Sequence, residues 1–302
     1  MDELKAAGIS DPALRDSYIE CKRLNALHGK TYYLATLLLP KAKRPFVHAL
    51  YGFARYADEI VDDLNSELSV EEKAQFLQSW SESVVRDLER GESKDAIGKA
   101  LADTVNRFAI PLHYFSAFLR SMEMDLSVTR YQNFDELMDY MYGSAAVIGL
   151  QMVPILGAQD ERAFEGARKL GVAFQLANFI RDVGEDLERG RIYLPLDELE
   201  SHGVDEEMLR RRILTPQITS LLKFQIARVR ALQAEAESTI IFLDKESQPC
   251  IRAASKLYCG IVDEIERIDY EIFKVRANTS IYRRIRVAGM ALIRTLPYRF
   301  SW

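Results

Sequence analysis

Apolar residues recur at helical spacing almost from one end of this 302-residue chain to the other. No segment alternates with period two for long enough to make a strand. Gly (15) and Pro (9) are scarce, so the chain lacks the turn residues that an antiparallel sandwich needs every 8–12 positions or so. The spacing predicts a helix capped by Asp11 and ending near residues 28–29, then helices over residues 41–64, 70–89, 133–155 and 160–188, and, beyond these, 215–245, 249–275 and 278–295. Ser69 with Glu72 three residues on fits a capping box. Residues 91–93 and 109–111 punctuate two further helices, and residues 190–203, carrying Pro195, read as a loop. No repeat, linker or composition shift divides the chain. The expectation is a single all-α bundle of eight to ten helices over residues 1–302.

Charge and cysteine content exclude several functions. The net charge of −5 gives no global attraction to nucleic acid. It is unevenly spread, because Lys274, Arg276, Arg283, Arg284, Arg286, Arg294 and Arg299 are followed or preceded by no acid between Ile272 and Trp302. Such a tail suits an anionic ligand or a membrane surface, reached peripherally; it suits equally a helix packed on the bundle with its arginines paired to acidic helices such as 70–89. Cys21, Cys250 and Cys259 are too few and scattered for a disulfide framework or a zinc site. The acidic N-terminus has no apolar signal region, and the longest apolar stretch, residues 145–158, falls short of the roughly 20 residues that span a bilayer. A cytoplasmic chain is expected.

The Gly29-Lys30-Thr31 triplet lacks the upstream Gly of a P-loop, since Leu24 stands there. Neither a dinucleotide-binding glycine pattern nor a zinc-hydrolase or nucleophile-elbow motif is present. The positive signal is a pair of polar stripes. On a helix, Tyr51, Arg55, Asp58 and Asp62 fall at roughly 0°, 40°, −20° and 20°, while Phe53, Ala54, Ala57, Ile60 and Val61 between them are apolar. Gln175, Asn178, Asp182 and Asp186 fall at roughly 0°, −60°, −20° and 20° on a second helix that is apolar nearly all round. A surface helix has the reverse balance. Buried carboxylates must be satisfied by something, and oxygen ligands without His or Cys suit Mg²⁺ completed by substrate phosphates. Two such stripes with Arg, Asn and Gln spell a diphosphate clamp. Residues 140–149 form an apolar helix rich in small residues, which beside such a clamp reads as a channel for a prenyl chain.

These residues resemble the phytoene and squalene synthase family of head-to-head isoprenyl synthases, over about residues 26–275. Arg55-x-x-Asp58-x-x-x-Asp62, with Tyr51 ahead, looks like the family's first aspartate motif, and Gln175-x-x-Asn178-x-x-Arg181-Asp182-x-x-x-Asp186 like its second. Tyr142-Gly-Ser-Ala-Ala-Val-Ile-Gly149 is similar to its tyrosine-plus-small-residue helix, and Lys256-Leu-Tyr258-Cys-Gly-Ile-Val-Asp263 to its C-terminal helix. The run Glu188-Arg-Gly-Arg-Ile-Tyr-Leu-Pro195 is like that of the phytoene-forming members. The resemblance implies an isoprenoid synthase bundle around a central cavity. It implies condensation of two geranylgeranyl diphosphates, through a cyclopropylcarbinyl diphosphate, to phytoene, with diphosphate released.

On that resemblance Asp58, Asp62, Asp182 and Asp186 hold Mg²⁺, or Mn²⁺ in its place, and no NADPH is needed. Tyr142, Arg55 and Tyr51 are the catalytic candidates. Lys30, Thr31, Arg55, Gln175, Asn178, Arg191, Tyr193 and Tyr258 are expected around the diphosphate, and a downstream carotenoid desaturase is the expected partner enzyme. Gly29, Ser144 and Ala146 depart from the family's usual residues. The alternatives are squalene, dehydrosqualene or hydroxysqualene formation from farnesyl diphosphate. Head-to-tail elongation fits less well, because Asp58-Glu-Ile-Val-Asp62 is not its D-D-x-x-D, and all four carboxylates argue against a non-catalytic relative.

Overall fold

The computed structural model describes residues 2–62 and 68–299, without the side chains of Lys30, Thr31, Asp62, Ile281 and residues 296–299. Helices account for all its regular elements among the described residues, apart from an isolated bridge between Ala158 and Leu243. Helix α1 (Glu3–Ala6) leads to α2 (Pro12–His28), α3 (Lys30–Thr36) and α4 (Arg44–Asp62). Then come α5 (Val70–Arg90), α6 (Gly98–Phe108), α7 (His113–Met124) and α8 (Phe134–Met141). A π-helical turn, Tyr142–Ala146, joins α8 to α9 (Val147–Leu156). The long α10 (Arg162–Glu188) is followed by α11 (Leu196–Ser201), α12 (Glu206–Arg210) and α13 (Pro216–Thr239). The chain closes with α14 (Gln248–Tyr258), α15 (Ile261–Arg267) and α16 (Ile281–Arg299).

The caps explain several of these boundaries. Asp11 Oδ1 accepts from the Leu14 amide at 2.8 Å, with Pro12 in the first turn of α2. Ser69 and Glu72 make the reciprocal capping box, at 3.2 and 2.8 Å, that opens α5. Gly91, at φ 73°, ends that helix in the left-handed conformation that only Gly adopts without cost.

The sequence expectation of eight to ten helices is too low, because helices of four to seven residues are too short to display a period. Three expected segments differ for that reason. Residues 190–203 hold α11 rather than only a loop, the helix expected over 215–245 stops at Thr239 before a 3₁₀ turn (Ile240–Phe242), and 249–275 is divided at Cys259–Gly260. The end expected near residue 64 and the polar stretch 65–67 lie outside the described residues, as do Phe300 and Trp302.

Two buried clusters form the core. One gathers Phe53, Phe115, Leu101 and Ile155 around α4, α6, α7 and α9; the other gathers Leu176, Ile180, Leu221 and Ile265 around α10, α13 and α15. The two halves meet where α10 crosses the π turn and α9, and glycines permit the close approach. A Cβ on Gly171 would sit 2.6 Å from the Ala145 carbonyl oxygen, and one on Gly149 would sit 2.5 Å from that of Ala167. Backbone atoms cannot swing aside as side chains do. Gly171→Ala is therefore expected to cost about 1–3 kcal/mol by overpacking, read as a lowered midpoint in chemical denaturation.

The basic tail settles on the bundle by one face only. Val287, Ala291 and Thr295 of α16 are buried, and α14 is its principal neighbour. Arg283 pairs with Asp263 of α15 at 2.6 Å and Arg276 with Asp182 of α10 at 3.1 Å, so these partners lie on α15 and α10 rather than on the helix over 70–89. No helix among the described residues is long and apolar enough to cross a membrane.

Candidate active site

Helices α4 and α10 face each other across a polar cavity of about 300 Å³. Asp58 enters it from α4, and Gln175, Asn178, Asp182 and Asp186 enter from α10. The two stripes thus converge on one space, because residues spaced by three and four on each helix share a face. Arg191 and Tyr193, from the segment after α10, complete one wall.

An apolar cavity of about 220 Å³ abuts it, lying between α3, α9, α10 and α14 where the two core clusters meet. Its walls include Ala35, Ile148, Met152, Ala167, Gly171 and Ile251. Small residues leave the space that larger side chains would fill. Ser144 and Gln175 border both cavities, so the greasy volume and the carboxylate volume adjoin at those two positions.

The electrostatics of the polar cavity are strained in a way that favours cations. Burial, with the Asp182 charge second, pushes the Asp186 carboxyl up to about 7. Asp182 is held by Arg181 at its own Oδ1 (2.8 Å) and Oδ2, and by Arg276 Nε at 3.1 Å. Arg276 also reaches Glu185 at 3.3 Å. Guanidinium groups thus neutralise part of the carboxylate charge gathered there. Among the described residues, no three His, Cys, Asp or Glu side chains converge to hold a metal unaided. The donors are all oxygen, which fits a hard divalent cation that takes its remaining ligands from phosphate and water.

Arg55, Tyr51 and Tyr258 line neither cavity. Arg55 donates from Nε to Glu59 Oε1 at 3.1 Å, one turn on along α4. The Tyr51 ring packs 5.7 Å from that of Tyr32, which lines the apolar cavity, and burial raises its hydroxyl pKa. Tyr258 stacks on Phe174 at 4.8 Å, and burial pushes its hydroxyl up to about 12. The expected Lys30, Thr31 and Asp62 side chains lie outside the described residues.

Tyr142 stands apart from the carboxylates. It is 36% exposed and borders neither cavity. The tyrosine of this segment that faces the carboxylates is Tyr140, two residues earlier and so roughly 200° round the helix. Its hydroxyl donates to Asp125 at 2.8 Å, and burial raises its pKa well above the ordinary value.

Asp125 also accepts from Tyr193 Oη at 3.4 Å, while its carbonyl accepts from Arg191 at 2.8 Å. The Tyr193 ring lies flat on Phe179, with centroids 4.0 Å apart. Neither Asp125 nor Tyr140 was expected from sequence. Tyr140 lies four residues before Ser144 on one face, a signal that was available; Asp125 follows α7 as an isolated acid and gave none.

The squalene/phytoene synthase family model matches residues 26–283. A chloroplastic phytoene synthase of Narcissus pseudonarcissus is 38% identical over 289 residues, which cover 94% of this chain and 67% of that protein. Phytoene synthase 2, chloroplastic, of Oryza sativa subsp. japonica is 39% identical over 287 residues, covering 93% of this chain and 71% of that one. Among solved structures, a dehydrosqualene synthase bound to a ligand superposes with a TM-score of 0.84 at 25% identity, over 96% of this chain and 98% of its own. A squalene synthase, HpnC, from Alicyclobacillus acidocaldarius gives 0.80 at 24% identity over 88% of this chain and 98% of its own, a likeness of fold.

Proposed function

The chain belongs to the squalene/phytoene synthase family, and from that premise we propose that it is a prenyltransferase joining two geranylgeranyl diphosphates head to head into phytoene, in carotenoid biosynthesis. The observation that carries this reading is the apolar cavity adjoining, at Ser144 and Gln175, the cavity that holds the carboxylates of α4 and α10. A prenyl chain fits the first volume and its diphosphate the second.

We place Mg²⁺ between Asp58, Asp182 and Asp186, with Asp62 expected beside them from its position one turn after Asp58. Bound there, the ion supplies positive charge against the diphosphate, in the ground state and as it leaves. The chain's own groups do the rest. Gln175 and Asn178 are placed to donate to phosphate oxygens from the α10 side, and Arg191 to add a cationic edge. Arg55, Lys30 and Thr31 are assigned to the same group from the α3–α4 side.

Departure of the first diphosphate leaves an allylic cation, which the double bond of the second substrate attacks; loss of a first proton then closes the cyclopropane ring. A second departure, rearrangement and loss of a proton complete the hydrocarbon. The apolar wall keeps water from the cations, which would otherwise be trapped as alcohols. We infer that no nicotinamide reductant takes part, because proton loss ends the sequence. The substrate is amphiphilic and the product apolar, so the enzyme, placed in the cytoplasm, exchanges them with a membrane face and a downstream desaturase.

Product analysis by mass spectrometry checks this directly. With Mg²⁺ and geranylgeranyl diphosphate alone, phytoene and diphosphate are expected, and adding NADPH should change neither. A C30 hydrocarbon from farnesyl diphosphate in preference, formed only with NADPH, would identify a squalene-forming enzyme instead.

A further inference from the structure

Helix α16 carries apolar side chains on two opposite faces. Val287 and Ala291 lie on the face packed toward α14. Tyr282, Ile285, Leu292 and Ile293 lie roughly 120–160° away from Val287 on the helical wheel. They are 82%, 65%, 41% and 66% exposed. A helix needs only one apolar face to dock on a bundle, so the second face serves something else.

The edge between those faces is basic. Arg286 and Arg294 of α16 and Arg252 and Lys256 of α14 line two adjoining clefts that share Lys256, Val287 and Met290. Among the described residues none of these four cations has a carboxylate partner, whereas Arg283 beside them is paired with Asp263. The acids at the cleft are already engaged, Asp263 by Arg230 and Arg283, and Glu237 by Ser255 and Gln233. Four cations without a direct ion-pair partner beside an exposed apolar stripe match the two chemical layers of a lipid surface, phosphate above and acyl chain below.

The placement adds a reason for this occupant. Helix α14 presents Arg252 and Lys256 to the cleft, and Cys250, Ile251 and Ala254 to the apolar cavity on its other side. The basic edge and the prenyl-chain cavity are therefore separated by the thickness of one helix.

We infer that the edge formed by α14 and α16 is a docking surface for a bilayer containing anionic phospholipid. The inference rests on the reading above only for its purpose, exchange of a prenyl lipid; the surface itself is read from charge and exposure.

Co-sedimentation of the full chain with vesicles tests it, using phosphatidylcholine alone or mixed with phosphatidylglycerol. The protein should pellet with the mixed vesicles and be released by salt, since exposed charges are screened. Arg286→Gln with Arg294→Gln should lower the partition coefficient about tenfold or more, each cation contributing a several-fold factor near an anionic surface. Ile285→Ser with Ile293→Ser should weaken it by removing the apolar contact. Turnover on detergent-dispersed substrate should stay unchanged in both variants. Equal pelleting with neutral vesicles, variants that bind like the parent, or no pelleting at all would overturn the docking surface and point to a protein partner or none. A parent chain that pellets as expected but forms no product in detergent would overturn the enzymatic reading alone.

Discussion

Asp186→Asn should lower turnover about a hundred- to a thousandfold or more, while making the unliganded protein more resistant to unfolding at pH 8. Both effects have one cause. Burial, with the Asp182 charge second, lifts this carboxyl from its ordinary 3.8 to about 7, so the folded protein holds the proton more tightly than the unfolded chain does. Folding therefore gains nothing from ionisation. Stability falls as pH rises from about 4 to about 7, and above 7 the whole penalty is present, at most about 4 kcal/mol. An amide carries no such penalty. Melting temperatures of parent and variant should coincide near pH 4 and separate above pH 7, with the variant higher. Turnover and melting measured on the same preparations check the pair of claims, and a variant that is both less stable at pH 8 and fully active would refute them. Asp182→Asn should also lose turnover but gain less stability, because Arg181 and Arg276 already compensate that charge.

Ala167→Phe should lower turnover on a C20 diphosphate by about a hundredfold or more, and leave affinity for inorganic diphosphate near that of the parent. Ala167 lines the apolar cavity and is not a wall of the polar one. A phenyl ring placed in about 220 Å³ of space takes room the prenyl chain requires, so the reacting carbon is held away from the carboxylate end. Isothermal titration with diphosphate and Mg²⁺, beside steady-state turnover, separates the two effects. Loss of diphosphate binding together with turnover would mean that the substitution had disturbed α10 itself, which bears Gln175 and Asp182 as well as Ala167.

How far the sequence reaches depends on the range of the signal. Asp58, Gln175, Asn178, Asp182 and Asp186 were legible because each stripe is a local property of one helix, fixed by the helical angle. Their meeting in one cavity followed from the burial of both stripes. Arg55 shows where that reasoning stops, since the stripe gives its face but not its choice of Glu59 over Asp58 as partner. Tyr140 and Tyr142 differ by packing register, which no sequence pattern gives: the side of residues 140–149 that meets the carboxylates is the side of Tyr140 and Ser144. Asp125 was out of reach, because its value comes from Tyr140 and Tyr193, and its contact with Tyr193 spans 68 positions of chain. In α16, composition announced the charge, but only packing showed which face was spare.

The two abutting cavities also bear on how a reaction cycle ends. On the proposed reading a prenyl diphosphate is amphiphilic and is held at both ends, its head by the carboxylate volume and its tail by the greasy one. A phytoene molecule has shed both heads. Nothing in the polar cavity retains it, and water offers it no welcome. Its departure is thus a partition between this protein's interior and whatever apolar phase lies nearest, so the pace of steady turnover is expected to follow the supply of that phase. A first product molecule per enzyme should form at a rate indifferent to added lipid, and only the later ones should quicken with it.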